Sequence, residues 1–166
     1  MKLAVELGRP NPNDLNLNVE WVQHAERLGV DMAFSAEAWW SDAVTPLAYL
    51  ADKTSTIKLA TGIMQTTART PAMTAMTALT LHDLTGGRFI LGLGASGPQV
   101  VEGLHSTRYN PALSRLRETI NICRMIFAGE KKWSPRTSVD LEVHDAISSM
   151  LRYEVLLAST APGFAC

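Results

Sequence analysis

The stretch "GRFILGLGASGPQ", Gly87–Gln99, decides how this chain folds. It contains Gly92-x-Gly94-x-x-Gly97, the spacing of the fingerprint with which nucleotide-binding folds hold a dinucleotide. A true fingerprint needs a helix that opens at its third glycine, because the pyrophosphate rests on that helix's N-terminus. Here Pro98 follows, and no cap or helical period is recognisable before Asn110. The segment is therefore predicted to be a strand and a loop that bring bare backbone close to another group.

The rest of the chain repeats a unit of one strand and one helix. Short apolar runs begin near Leu3, Val30, Ile57 and Arg88, at intervals of 27, 27 and 31 residues. Each run is almost continuously apolar, which is typical of parallel strands covered on both faces. The alternation predicts a parallel sheet with right-handed crossovers. The residues alone leave open whether it is a doubly wound sheet or a (β/α)8 barrel.

Apolar stripes mark four predicted helices. The stripes are Val19, Val22, Ala25 and Leu28; Leu47, Leu50 and Ala51; Ala72, Met76 and Leu79; and Leu113, Leu116, Ile120, Cys123 and Phe127. Three helices are predicted to begin with a polar N-cap followed by proline, at Thr45-Pro46, Thr70-Pro71 and Asn110-Pro111. Gly29 and Gly129 are predicted to end the first and the fourth helix.

Composition narrows the class of protein. The chain has 166 residues, of which 46% are apolar, enough for one packed domain. Its net charge is −1 and it has no run of Lys or Arg, so nothing supports a nucleic-acid or membrane partner. Its two cysteines lie far apart, and its apolar start is too short for a signal peptide. We expect a cytoplasmic protein without a structural disulfide.

Three blocks carry a family resemblance: "AERLGVDMAFSAEAW", "IKLATGIMQTTARTPAMTAMTALTLHDLTGGRF" and "ILGLGASGPQVVEGLH". In this order and spacing they strongly resemble the luciferase-like monooxygenase superfamily, and within it the oxidoreductases that use the deazaflavin coenzyme F420. The resemblance runs from about Leu3 to Glu130. It implies an α/β fold made of the first four βα units of a (β/α)8 TIM barrel. It also implies F420, or FMN as the alternative, bound at the carboxyl ends of the strands, and a small-molecule substrate.

The resemblance implies roles at two strand ends. "ATGIMQ" matches a strand with a bulge, often a non-prolyl cis peptide, behind the flavin ring, and this places the bulge at Gly62-Ile63. "FSAEAWW" lies where relatives keep polar groups over the reactive ring edge, which makes Glu37 the catalytic candidate, with Ser35 beside it. Relatives often have Asp-His where this chain has Ala36-Glu37, so proton donor and hydrogen-bond acceptor both stay open. A structural pairing with an arginine or a helix N-terminus is the alternative.

The glycine-rich segment matches the family's fourth-strand loop, whose N–H groups and hydroxyl approach the cofactor. On a strand, Thr61, Ile63 and Gln65 share one face, and the bulge leaves open which face lines the barrel. The residues expected at the cofactor are Ser35, Gly62, Ile63, Gln65, Gly94, Ala95, Ser96 and Gly97.

Other polar and aromatic pairs are weaker candidates. No metal site is expected, because Glu102 and His105 lack a third ligand nearby and a loop hydrogen bond explains them better. Trp39-Trp40 either walls a flavin pocket or packs in the core.

No resemblance is recognisable beyond Glu130. This divides the chain into a half-barrel, residues 1–130, and a tail, residues 131–166, in which we expect a strand at Val139–Val143 and a helix at Asp145–Leu157. Four strands cannot close a barrel, so Arg88–Gly94 is expected to be an open apolar edge. We expect a truncated oxidoreductase that binds cofactor poorly and covers this edge by homo-oligomerisation or with its tail, unless the tail is disordered. A catalytically inert barrel fragment acting as an interaction module is the alternative.

Overall fold

The computed structural model describes residues 2–8, 15–128 and 154–156. Strands and helices alternate along the chain as predicted. In chain order the elements are β1 (Leu3–Glu6), α1 (Leu15–Arg27), β2 (Met32–Ser35), α2 (Val44–Ala51), β3 (Lys58–Thr61), β4 (Met64–Gln65), α3 (Pro71–Leu84), β5 (Phe89–Ile90), β6 (Leu93–Gly94), α4 (Pro98–Gly103), α5 (Ala112–Phe127) and β7 (Glu154–Leu156).

The order of the strands identifies the architecture. Five strands form a parallel sheet in the order β5-β3-β2-β1-β7, and β4 and β6 form a second parallel pair. The strands of the four successive βα units, β1, β2, β3 and β5, therefore lie side by side in chain order, and β7 lies on the other side of β1. A doubly wound sheet instead reverses its strand order at a switch point, where the ligand binds. The sequential order is that of a barrel wall.

The third strand of the wall is broken at Gly62–Ile63, whose peptide bond is cis. Before the break β3 pairs with β5, and after it β4 pairs with β6. At the break the Thr61 hydroxyl donates to Gly92 O at 2.8 Å and accepts from Gly92 N at 2.9 Å. The Thr61 hydroxyl thus gives the backbone N–H and carbonyl groups of Gly92 a hydrogen-bond partner at the point where the hydrogen bonding between the strands is interrupted. The predicted bulge with a non-prolyl cis peptide is confirmed.

The core lies on both faces of the sheet. The face toward α1 and α2 buries Val5, Leu7, Val22, Ala25, Ala33, Leu47, Leu50, Ile57 and Leu59. The opposite face buries Ala4, Met32, Phe34 and Ala60. A third cluster joins α3 and α5 to the fourth unit through Met64, Ala75, Ala78, Leu91, Leu93 and Cys123. Burial on both faces explains why the strands are almost continuously apolar.

Three predicted helical stripes are partly wrong. The buried face of α3 consists of Thr74, Ala75, Ala78 and Leu81. The predicted Met76 and Leu79 are 51% and 40% exposed, because packing against α2 and α5 sets the rotation of a helix that is apolar on all sides. Leu28 and Leu113, at the ends of their stripes, are also exposed.

The predicted helix starts have three different outcomes. Thr70 is confirmed as an N-cap: its side chain accepts from Met73 N, and Pro71 follows. At α2 the polar cap is Asp42 instead of Thr45, since Asp42 Oδ1 accepts from the Val44 and Thr45 N–H groups at 2.8 and 2.7 Å. At α5 the N-cap position is Pro111, which has no side-chain acceptor, so the prediction for Asn110 is wrong.

Helix ends and the tail are only partly described. Gly29 has a φ of +78° after α1, as a C′ glycine should, whereas Gly129 lies outside the described residues. The predicted strand Val139–Val143 also lies outside them. Glu154–Leu156 is a strand, so the predicted helix to Leu157 is wrong there. This strand pairs in parallel with β1, at the edge opposite β5.

Arg88 connects the amino ends of the strands. It lies directly before β5 and donates five hydrogen bonds of 2.8–3.0 Å, which use every N–H of its guanidinium group. The acceptors are the carbonyl oxygens of Ala51, Thr54, Ile57 and Thr85 and the hydroxyl of Thr54. One side chain therefore fixes the loop before β3 against the start of β5.

Glu26 fixes the same loop from α1. Its Oε1 atom accepts from the backbone N–H groups of Ser55, Thr56 and Ile57 at 2.6–2.9 Å, and from the Thr56 hydroxyl. Burial raises the pKa of Glu26, but these hydrogen bonds outweigh it and lower the pKa from 4.5 to about 2. The Glu26 carboxylate is therefore held in its ionised form at the amino ends of the strands.

Candidate functional site

Two glycines of the fingerprint-like segment leave space that atoms of the neighbouring strand occupy. A Cβ atom on Gly92 would collide with the Thr61 carbonyl oxygen. A Cβ on Gly94 would lie 2.9 Å from the Ile63 side chain. These two glycines let the third and fourth strands approach each other across the break. The expectation that bare backbone meets another group is confirmed, and that group is the neighbouring strand.

A short helix follows Gly97, contrary to the prediction. α4 begins at Pro98 with Gly97 as its N-cap, and glycine has no side chain that could accept a capping hydrogen bond. The helix is six residues long, too short to show an apolar period in the sequence. The prediction that no helix follows Gly97 was therefore a wrong argument against a dinucleotide site. The strand order is the argument that remains against such a site.

Glu37 lies just beyond β2 and is almost fully buried, with 6% of its side chain exposed. Arg69 Nη1 donates to both of its carboxylate oxygens, at 2.7 and 2.8 Å. The backbone N–H of Gln65 donates to Oε2 at 2.8 Å, and that of Ala43 donates to Oε1 at 3.3 Å. Glu37 therefore has the arginine partner that the sequence left as an alternative, together with two backbone donors.

Gln65 binds Glu37 a second time, yet part of its amide has no partner. Its Nε2 donates to Glu37 O at 2.7 Å, while its Oε1 accepts nothing in the described structure. The hydroxyl groups of Thr66 and Thr67 are likewise buried without a partner there. Gln65 is 0% and Thr66 5% exposed. Three consecutive residues after the broken strand thus carry unsatisfied polar atoms.

A cavity of about 330 Å³ opens beside Glu37. Its lining residues are Glu37, Ala38, Trp40, Ser41, Asp42, Ala68, Arg69 and His105. Trp39 and Trp40 are 51% and 68% exposed, so the alternative that they pack in the core is wrong. Buried His105 Nε2 has no partner among the described residues. The cavity thus combines an aromatic wall with an arginine and an imidazole.

Asp42 contributes a second carboxylate to this cavity. Burial raises the pKa of Asp42, but hydrogen bonds from Thr45 and Val44 and the nearby Arg69 charge outweigh it, so the net shift is downward. Its Oδ1 lies 3.9 Å from Arg69 Nη2. The guanidinium group therefore lies between the two carboxylate groups.

Several predicted cofactor residues lie together. Gln65 pairs with Gly94 across β4 and β6, Ile63 contacts Gly94, and Ser35 O accepts from Gly62 N at 2.8 Å. The remaining three follow β6: Ala95, Ser96 and Gly97 are partly exposed. Ser96 has a φ of 60°, an uncommon conformation for a residue with a side chain. The carboxyl ends of the second, third and fourth strands thus converge on one region.

One of the weaker candidates, Glu102, has a clear contact. Glu102 accepts from Tyr109 N at 3.0 Å, the loop hydrogen bond that was expected. No cluster of three His, Cys, Asp or Glu side chains in the described ranges is arranged to hold a metal ion. Cys123 is buried, and burial raises the pKa of its thiol to about 12, so it stays protonated.

Sequence reasoning missed Arg69 and Asp42. Arg69 lies 32 residues after its partner Glu37, a separation at which no local pattern indicates pairing. Asp42 had a usable signal, because an aspartate before an apolar helical run is a common N-cap. The sequence pattern at Thr45-Pro46 instead placed the predicted cap three residues too late.

The sequential parallel strands, the outer helices and the polar groups at the carboxyl ends are those of part of a barrel of the (β/α)8 class. Residues 2–149 match the sequence model of the luciferase-like monooxygenase family. The chain belongs to this family. The match extends beyond Glu130, where the recognisable resemblance was expected to end.

One curated relative, from Mycobacterium tuberculosis, is assigned by name to the coenzyme F420-dependent oxidoreductases. It is 49% identical over 138 residues, which cover 83% of this chain and 39% of the relative. The chain thus spans about two fifths of the length of that protein.

Solved structures agree in fold. The coenzyme F420-dependent tetrahydromethanopterin reductase of Methanopyrus kandleri superposes with a TM-score of 0.68 at 20% identity, over 97% of this chain and 51% of the reductase. A Pseudomonas putida Baeyer-Villiger monooxygenase in complex with FMN gives a TM-score of 0.64 at 22% identity, over 86% of this chain and 46% of the monooxygenase.

None of the helices in the described ranges is long and apolar enough to span a membrane.

Proposed function

We propose that this chain supplies the cofactor-facing part of an oxidoreductase that uses coenzyme F420, with FMN as the alternative, and acts on a small molecule. The broken strand at Gly62–Ile63 carries the proposal, since the family resemblance puts this feature behind a flavin-type ring. The identity to a protein assigned to the F420-dependent oxidoreductases favours F420. When bound, such a cofactor supplies the redox chemistry, and the protein supplies position and electrostatics.

The unsatisfied polar atoms fit a ring of this kind. One edge of a flavin or deazaflavin ring presents carbonyl acceptors and an N–H donor, all uncharged. Gln65 Oε1 is an acceptor without a donor, and the hydroxyls of Thr66 and Thr67 are donors without an acceptor among the described residues. Buried polar atoms without partners are rare and call for water, an ion or a ligand. We assign these three side chains to the polar edge of the ring.

The backbone around the break would support the face of the ring. Ile63 and Gly94 contact each other and form one surface, and Gly62 is bound to the end of β2 through Ser35. Beside this surface the loop Ala95–Gly97 offers backbone N–H groups and the Ser96 hydroxyl. These residues would hold the ring in place without supplying a charge.

Glu37 is best explained as a positioning residue. Both of its oxygens accept from N–H groups, an arrangement that suits the ionised carboxylate and leaves no proton to donate. It orients Arg69 toward the cavity and holds Gln65 by both backbone and side chain. Of the two roles that the Ala36-Glu37 departure left open, these contacts support the hydrogen-bond acceptor.

A parallel titration tests the proposal. The purified chain is titrated with F420, FMN and NADPH, and fluorescence and absorbance are followed. We expect F420 to bind more tightly than FMN and NADPH not to bind. Binding of NADPH alone would restore the dinucleotide interpretation. Binding of none of the three would favour the inert interaction module.

Two serines with matching backbones give a residue-level test. Ser96 and Ser106 have φ values of 60° and 50° and are the only non-glycine residues with positive φ in the described ranges. If the Ser96 hydroxyl contacts the cofactor, Ser96→Ala weakens F420 binding about 3- to 10-fold, the value of one hydrogen bond. Ser106→Ala should leave the dissociation constant unchanged. Equal effects of both changes would contradict a cofactor contact at Ser96.

A further inference from the structure

We propose that the cavity beside Glu37 is a binding subsite for an uncharged molecule that joins an apolar ring to a hydroxyl or carbonyl oxygen. The inference rests on the proposed function, because this cavity would present its occupant to the cofactor as the substrate. Its volume of about 330 Å³ lies near the lower end of the range of about 300–1,000 Å³ that small-molecule sites occupy. The occupant is therefore a small molecule.

The hydrogen-bonding groups of the cavity favour an oxygen atom. Arg69 uses Nη1 for Glu37, and its Nη2 lies 3.9 Å from Asp42 Oδ1, too far for a hydrogen bond. Nη2 is therefore available to a ligand oxygen. Arg69 has 17% of its side chain exposed, so its guanidinium group is accessible from the cavity. Ser41 and His105 add a hydroxyl and an imidazole to the lining.

The charges of the cavity disfavour an anion. Two carboxylates, Glu37 and Asp42, face one guanidinium group, so Arg69 is already neutralised. A ligand carboxylate or phosphate would bring a third negative charge without a new cation. A ligand cation would approach Arg69 with a like charge, and Asp42 Oδ1, the carboxylate oxygen that faces Arg69, already accepts from the Val44 and Thr45 N–H groups. An uncharged oxygen meets neither repulsion.

Trp40 provides the apolar surface and Trp39 the matched control. Trp40 lines the cavity, whereas its neighbour Trp39 does not, and both side chains are more than half exposed. Exposed side chains can be truncated with little effect on folding. A ring bound against Trp40 would therefore lose affinity when Trp40 is removed and keep it when Trp39 is removed.

The experiment uses three probes of one shape and different charge: cyclohexanol, cyclohexanecarboxylate and cyclohexylammonium. Each is titrated into the full chain without cofactor, and binding is followed by ligand-observed NMR. We expect cyclohexanol to bind about 10-fold more tightly than either ion, and Trp40→Ala to weaken it about 10-fold. Trp39→Ala should change the dissociation constant less than about 2-fold. Circular dichroism confirms that both variants are folded.

The outcomes separate this inference from the proposed function. Tighter binding of either ion, equal losses in the two tryptophan variants, or no binding of cyclohexanol would each overturn the subsite. F420 binding is measured on the same samples, and its absence would remove the cofactor while the cyclohexanol result still decides the subsite. Displacement of cyclohexanol by F420 would show that the cavity belongs to the cofactor and would also overturn the inference.

Discussion

The two ends of the strands treat their polar side chains in opposite ways. At the amino ends, Arg88 uses every N–H that it has, and Glu26 gathers four donors on one oxygen. At the carboxyl ends, the side chains of Gln65, Thr66 and Thr67 keep buried atoms without a partner. All four unsatisfied buried atoms of the described ranges, including His105 Nε2, lie on the carboxyl side.

This difference indicates a division of work within the barrel wall. Satisfied polar groups lower the free energy of the folded chain, and unsatisfied ones raise it until a partner arrives. The amino ends are therefore built for stability. In the proposed function, the carboxyl ends keep hydrogen-bonding capacity for a ligand, and the active sites of TIM-barrel enzymes lie at this face.

The largest test of this division is Arg88→Ala. It leaves four carbonyl oxygens without this donor, three between the end of α2 and β3 and one just after α3, and we expect the free energy of unfolding to fall by about 3 kcal/mol or more. Urea denaturation measures the change. Arg27→Ala, at an exposed position at the end of α1, is the control and should stay within about 0.5 kcal/mol. A loss below about 1 kcal/mol for Arg88→Ala would contradict its role.

Glu26→Gln tests the same end through pH. The pKa of Glu26 is lower in the folded chain, about 2 against 4.5, so its stabilisation is complete above pH 4.5 and is lost as the pH falls toward 2. For a fully buried carboxyl group, a pKa shift of this size would contribute about 3 kcal/mol to the free energy of unfolding. Since Glu26 is partly exposed, we expect a deficit of about 1 kcal/mol at pH 7.

The measurement compares unfolding of Glu26→Gln and the parent chain at pH 7, 5 and 3. The deficit should be equal at the first two values and smaller at the third. Glu20→Gln, at an exposed position of the same helix, should show no such trend. A deficit independent of pH would assign the effect of Glu26 to packing.

The smallest and sharpest test exchanges two buried threonines for valine. The Thr85 hydroxyl donates to Leu81 O at 2.7 Å, whereas the Thr66 hydroxyl has no partner in the described ranges. We expect Thr85→Val to lower the free energy of unfolding by about 1 kcal/mol and Thr66→Val to leave it unchanged or raise it. Urea denaturation of the two variants and of the parent chain measures both changes. Equal losses would mean that the Thr66 hydroxyl has a partner after all.

The sequence predicts the wall better than the site. The strands near Leu3, Val30, Ile57 and Arg88 were predictable because burial on both faces leaves an apolar run that any short window reveals. The break at Gly62–Ile63 followed from the family resemblance. The rotation of α3 was not predictable, since Met76 and Leu79 are as apolar as the residues that it buries, and contacts with α5 decide between them.

The site depends on contacts that no local window contains. The family resemblance indicated Glu37 and Gln65 as site residues, but Arg69 joins them only through the fold. Whether a hydroxyl such as that of Thr66 has a partner is also decided by tertiary structure. The short helix after Gly97 was missed, although Pro98 at its first position was a valid start signal.

The three glycines of the fingerprint-like segment should respond differently to selection. Gly92 and Gly94 have no room for a side chain, while a Cβ on Gly97 would meet only the movable end of Gln99, and its φ of −99° suits any residue. A saturation library should therefore keep glycine at the first two positions and accept alanine or serine at the third. In this chain, a pattern search that weights the three glycines equally mistakes interstrand packing for nucleotide recognition.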